Sequence, residues 1–226
     1  WAADDLLITL GDYVDRGPRS KDVVDWLIQR HQVGNLIPLK GNHEWIMLKA
    51  KDDIHTMRSW FNDHVGGRST VDSYAAADGS RLAQLSDIPE THWDFLTNKT
   101  QRFHETDSHL FVHANALPLL PLNSQPEEVL IWRHLVRDSQ QPHISGKTII
   151  CGHTAQRSGL PLDLGLGRVH VGLIRDGLVR IVAHEPKGAD LAALLALDVI
   201  HLFLRQLPGG TDAGIGRMRG VTSDEV

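Results

Sequence analysis

The first fifty residues alternate between short apolar runs and polar, glycine-bearing breaks, and together they spell a β-α-β unit. Leu6-Leu7-Ile8-Thr9-Leu10 is an unbroken apolar run of strand length, the pattern of a strand covered on both faces. From Ser20 to Gln32 the apolar positions Val23, Val24, Leu27 and Ile28 recur at helical spacing, with Ser20 as the expected N-cap and Gly34 closing the helix. Leu36 to Leu39 returns to strand, so a right-handed crossover between parallel strands is expected. Glu44 to Lys51 reads as a second helix, and Asp52 to Lys99 as an irregular to helical stretch rich in Trp, His and Asp.

Farther along, Arg102–Glu105 and His109–His113 flank the turn residues Thr106-Asp107-Ser108 and predict a hairpin. A helix is expected over Glu127–Arg137 and a strand over Lys147–Cys151. Val169–Ile174 and Leu178–Val182 surround Arg175-Asp176-Gly177, a second hairpin signal, because Asp-Gly accepts left-handed turn geometry. Ala189 to Leu207 has the pattern of a nearly all-apolar helix. The expected organisation is one α/β domain over residues 1–207 and a disordered, glycine-rich tail over 208–226, with no internal repeats.

The candidate chemistry lies in the loops at the strand ends. Gly11-Asp12-Tyr13-Val14-Asp15-Arg16-Gly17 places two acids and an arginine between glycines at a strand's carboxyl end, where ligands collect in open α/β sheets. Three more loops after apolar segments carry Gly41-Asn42-His43-Glu44, His113-Ala114-Asn115 and Gly152-His153-Thr154. Asp, Asn and two His are hard or borderline ligands that suit Mn, Fe or Zn rather than a thiolate metal. The expectation is a phosphate and metal site built from these loops.

Composition narrows the reading. With 41% hydrophobic and 23% charged residues, the 226-residue chain is an ordinary globular sequence. A net charge of -5 supplies no basic footprint for nucleic acid. The single cysteine, Cys151, excludes an intrachain disulfide and reads as a small buried residue in a reducing compartment. No apolar run reaches the ~18 residues of a membrane span, so the expected location is cytoplasmic, with no membrane partner.

The order Gly-Asp-x-Val-Asp-Arg-Gly, Gly-Asn-His-Glu, His, Gly-His-Thr resembles the phosphoprotein phosphatase family of metallophosphoesterases, in its bacterial and bacteriophage Ser/Thr branch. Gly66-Gly67-Arg68-Ser69-Thr70, Ile88-Pro89 with His92, and Ser158-Gly159-x-Pro161-Leu162-Asp163-Leu164-Gly165 extend the resemblance over residues 5 to 165. It implies a calcineurin-like β-sandwich flanked by helices and two divalent metal ions, Mn²⁺ foremost, activating water as the nucleophile. It further implies Asp12 as a bridging ligand, with Asn42, His113 and His153 completing one metal. His43 becomes the proton donor to the leaving group, oriented by Asp15, while Arg16 and Arg133 bind the phosphoryl oxygens. Glu44 is expected to cap or hydrogen-bond within its loop.

The family also carries an earlier strand ending in Gly-Asp-x-His-Gly, whose Asp and His hold the other metal. That motif is absent from these residues and would precede Trp1, so the N-terminal strand is expected to be missing. The substrate implied is a phosphoprotein or small phosphomonoester. Two rivals stand beside this: a dinucleoside polyphosphate hydrolase on the same scaffold, a group that tends to lack an acid at the Asp15 position, and a degenerate relative that binds phosphate without turnover.

Overall fold

The computed structural model describes residues 6–76, 79, 81–134 and 141–154, together with the strands Leu162–Gly165, Arg168–His170 and Val182–His184. The expected β-α-β unit forms. Strand β1 (Leu7–Thr9) is followed by helix α1 (Ser20–Val33), and β2 (Leu36–Pro38) then pairs with β1 in parallel, Leu7 opposite Leu36. Gly34 ends α1 in the left-handed conformation at φ 87°, as a glycine C-cap does. Ser20 is not the N-cap, however. That position is Arg19, and the Ser20 hydroxyl instead faces the Thr70 hydroxyl at 3.3 Å.

Helix α2 (Asn42–Ala50) starts two residues earlier than expected, behind Gly41 as N-cap. The stretch after it folds into short helices, α3 (Ile54–Trp60), α4 (Gly67–Asp72) and α5 (Glu90–Asp94). The hairpin of β3 (Phe103–Glu105) and β4 (His109–Val112) is antiparallel with Phe103 opposite Val112. Helix α6 spans Glu127–Trp132, shorter than the expected Glu127–Arg137. Its early end has a tertiary cause: the Leu130 carbonyl accepts the Ala114 N–H at 2.7 Å, and Arg133 is extended at φ -74°, ψ 109°. Strand β5 (Thr148–Cys151) runs parallel to β4.

Among the described residues the strands form two sheets, ordered β2-β1-β8 and β3-β4-β5-β7-β6, where β6, β7 and β8 are Leu162–Gly165, Arg168–His170 and Val182–His184. The hairpin expected around Asp176-Gly177, the helix over 189–207 and the tail lie outside the described residues. The described flanks of that hairpin do not pair with each other: β7 joins β5 and β6, and β8 joins β1.

Ile8, Leu10, Leu39, Phe111 and Ile150 form one buried cluster drawn from both sheets. A second cluster packs α1, α2 and the short helices against Leu7 and Leu36, and a third packs α6 against Leu110, Ile149 and Cys151. Cys151 is fully buried, as expected. Because Ile150 is wholly enclosed, Ile150→Val is expected to remove ~1 kcal/mol of stability in a urea melt, the usual cost of one buried methyl group. Among the described residues no helix is long and apolar enough to cross a membrane.

Candidate metal centre

Each of the four expected ligand residues sits just beyond a strand. Asp12 follows β1, Asn42 opens α2 after β2, His113 follows β4 directly and His153 comes two residues after β5. Both β1–β2 and β4–β5 are parallel pairs, so the four loops emerge at carboxyl ends of parallel strands.

Their side-chain atoms converge. Asn42 Oδ1 lies 3.0 Å from His113 Nε2 and 2.9 Å from His153 Nδ1, and those two nitrogens are 3.2 Å apart. Asp12 Oδ1 is 3.4 Å from His113 Nε2, and ligand atoms of Asp12, His113 and His153 all fall within 4.8 Å of one another. Ligands bonded at ~2.1 Å to one ion stand about 3.0–3.4 Å apart, from octahedral to tetrahedral geometry. The observed spacing is therefore that of a single coordination sphere.

Protonation fits the same conclusion. His113 Nδ1 donates to the Leu10 carbonyl at 2.6 Å, so Nε2 is the ring nitrogen that faces the cluster and the one available to ligate. Burial first, and then neighbouring His113, lower the pKa of His153 to about 4, so its ring is neutral and able to ligate. His153 Nε2 is buried without a hydrogen-bond partner among the described residues. Lone pairs crowded at these distances lack a common donor. A divalent cation supplies what they lack, so the residues present fit a metal.

The backbone around the cluster is under tension. Asp12, Asp15, Arg16 and His153 have φ of 60°, 74°, 59° and 66°, and no other described residue except glycine has a positive φ. Such conformations cost of order 1–3 kcal/mol each and gather at functional sites. Two glycines let the loops close. A Cβ on Gly11 would lie 2.5 Å from Gly41 N, and one on Gly41 would collide with the Asp12 carboxylate.

Glu44 holds the loops in this shape. Its Oε2 accepts the N–H groups of Asp12 at 2.8 Å and Gly41 at 2.9 Å, and its Oε1 those of Tyr13 at 2.6 Å and Val14 at 3.2 Å. As expected it caps its own helix through the Gly41 N–H, and beyond that it ties the β1 loop to the start of α2. Complete burial, followed by the charge of Asp12, raises its pKa to about 7, while the N–H donors and His43 pull the other way. Four donors around two oxygens are the geometry of the ionised carboxylate.

The remaining expected residues are placed unevenly. His43 Nδ1 and Asp15 Oδ2 are 2.6 Å apart, both buried, and the His43 N–H points at Asp12 Oδ1 from 3.4 Å. Burial opposes a charge on His43, but the Asp15 hydrogen bond and the charges of Asp12 and Asp15 outweigh it and raise the ring's pKa. Arg16 is exposed, its guanidinium donating to the His64 carbonyl at 3.2 Å. Arg133 is exposed past the end of α6 rather than carried on the helix. Neither arginine contacts the cluster of Asp12, Asn42, His113 and His153 in this structure.

His134, which sequence reasoning leaves among the surface or packing histidines, is exposed, yet it borders the cluster. Its ring lies over His153 with centroids 4.6 Å apart, and Nδ1 is 3.4 Å from the Thr154 hydroxyl. Its only sequence signal is adjacency to Arg133.

The model of the calcineurin-like phosphoesterase family matches residues 2–157, well over half of the 226-residue chain. The chain belongs to that family. No individual curated protein gives a significant match. The calcineurin-like phosphoesterases are hydrolases that act on phosphoesters with divalent metal, and the match runs through the loops of Asp12, Asn42, His113 and His153.

Proposed function

We propose that this calcineurin-like phosphoesterase is a phosphomonoesterase that removes phosphate from phosphoserine and phosphothreonine in proteins. The observation that carries the reading is the buried Asp15–His43 pair at 2.6 Å, one residue from the metal-binding Asn42. An alkoxide leaves poorly unless it receives a proton, whereas the phosphate released from a dinucleoside polyphosphate departs as a stable anion. A fixed proton donor is therefore an asset for alkyl phosphates and of little use for the rival substrate.

In this reading Asp12, Asn42, His113 and His153 would hold a divalent ion, and Asp12 would contribute to a second. Mn²⁺ is the first choice over Fe and Zn, all of which suit this set of two oxygen and two imidazole donors. The metal, when bound, supplies Lewis acidity toward water and toward the phosphoryl oxygens. Asp15 accepts the His43 Nδ1–H and so turns Nε2 toward the departing oxygen. Arg16 and Arg133, both exposed, take the phosphoryl oxygens as bidentate donors.

His43→Asn is expected to lower Mn²⁺-dependent turnover of a phosphoserine peptide by about 10²–10³-fold, within the range for losing a general acid. Malachite-green detection of released phosphate reads the result. Undiminished turnover would remove His43 from the reaction, and a preference for dinucleoside polyphosphates over the peptide would favour the rival enzyme.

A further inference from the structure

The Asp15 carboxylate is fully enclosed, and its two oxygens have different partners. Oδ2 faces His43 Nδ1. Oδ1 accepts two hydrogen bonds, from Trp60 Nε1–H at 2.9 Å and from the Thr70 hydroxyl at 2.8 Å. The same hydroxyl accepts the Asp15 backbone N–H at 2.7 Å, so Thr70 grips this residue at both ends. Trp60 and Thr70 are themselves completely buried.

These two side chains come from one segment, the end of α3 and the start of α4, joined through Gly66-Gly67. The glycines are required by proximity. A Cβ on Gly67 would run into the Trp60 ring, and one on Gly66 would come within 2.7 Å of the Arg16 side chain. The segment also takes the Arg16 N–H on the Gly66 carbonyl at 3.1 Å and the Arg16 guanidinium on the His64 carbonyl. Residues 60–70 therefore grip both Asp15 and Arg16 in their left-handed conformations.

A carboxylate with one neutral partner can rotate and offer either oxygen. Two donors on Oδ1 fix its plane and commit Oδ2 to His43. We propose that Trp60 and Thr70 are positioning residues for proton delivery: by locking Asp15 they lock the His43 ring, and so aim its Nε2 proton at the leaving oxygen. This rests on the phosphomonoesterase reading above. In the step itself a water oxygen forms a new bond to phosphorus and stays, with its protons, in the released phosphate, while the P–O ester bond breaks and its electron pair goes to the alkoxide oxygen. That oxygen takes the His43 Nε2 proton, giving an alcohol and a neutral imidazole whose Nδ1–H stays on Asp15.

Two substrates and one spectrum test this in the full chain with Mn²⁺. Thr70→Val keeps the shape and removes the hydroxyl. It is expected to lower kcat for a phosphoserine peptide by about 10–100-fold, the usual effect of losing an outer partner. p-Nitrophenyl phosphate, whose leaving group needs no proton, is expected to lose far less, so the ratio of the two rates shifts at least ~tenfold. Thr70→Ser is expected to restore the ratio, and Trp60→Phe to shift it in the same direction as Thr70→Val.

The independent readout is the His43 Nδ1 proton in ¹⁵N-histidine-labelled protein, a downfield signal identified by its disappearance in His43→Asn. It is expected to move or exchange away in Thr70→Val and to return in Thr70→Ser. Equal losses on both esters with the signal unmoved would overturn the positioning role. His43→Asn losing equally on both esters would instead overturn His43 as the proton donor, the observation on which the phosphomonoesterase reading rests, while the proton signal still reports whether Thr70 and Trp60 hold the ring.

Discussion

Asp12→Asn is expected to lower Mn²⁺-dependent hydrolysis by ~10³-fold or more and to weaken Mn²⁺ binding beyond the ~10–100-fold typical of losing an outer partner, while leaving the fold intact. Asp12 brings the only negative charge among the four converging ligand atoms, alongside a neutral amide and two imidazoles. Without it, an ion would be held by neutral donors alone. The fold should tolerate the change for two reasons. At φ 60°, Asn is among the side chains most at ease in the left-handed region, so no new strain is added. The Asp12 charge also repels the buried Glu44 carboxylate, and removing it relieves that repulsion. An unchanged or slightly higher melting temperature is thus expected beside lost activity, the trade-off of a site built at the expense of stability. Elemental analysis of metal per chain, with a thermal melt on the same sample, reads both. An Asn variant that keeps its metal and its turnover would take Asp12 out of the centre.

Most of this site is legible in the sequence because its chemistry is written in loops that short apolar runs locate. Asp12, Asn42, His113 and His153 each come after a β-branched or leucine-rich segment, and the structure brings all four together. What sequence does not show are contacts made across the chain. Helix α6 stops at Trp132 because Ala114, sixteen positions upstream of Leu130, takes its carbonyl, and the apolar pattern of 127–137 carries no trace of that bond. The start of α2 is hidden because its N-cap, Gly41, has no side chain to announce it. Ser20 has the right residue type for a cap, yet its hydroxyl turns to Thr70. Trp60 and Thr70 lie 45 and 55 positions from Asp15, so their bonds to its carboxylate have no local signature. His134 is hidden for the same reason, since a lone histidine beside a helix end says nothing of a ring stacked on His153.

Glu44→Gln is the substitution expected to hurt the fold most among these polar residues, by about 2–5 kcal/mol in a urea melt, with metal affinity falling alongside. The two side chains match in size, so no cavity enters the comparison. The carboxylate takes four N–H groups, two on each oxygen. An amide has one oxygen and one NH₂, and whichever way it turns, two N–H groups then face a donor. If the NH₂ sits at Oε2, Asp12 and Gly41 lose their acceptor; if at Oε1, Tyr13 and Val14 do. Each buried donor left unsatisfied costs ~1–3 kcal/mol. The consequence passes directly to the metal, since these N–H groups hold the loop in which Asp12 keeps its left-handed φ of 60°. A melt that moved by less than ~1 kcal/mol would mean the β1 loop holds its own shape without Glu44. The strain at Asp12 would then have to be balanced by the packing of Gly11 against Gly41 instead.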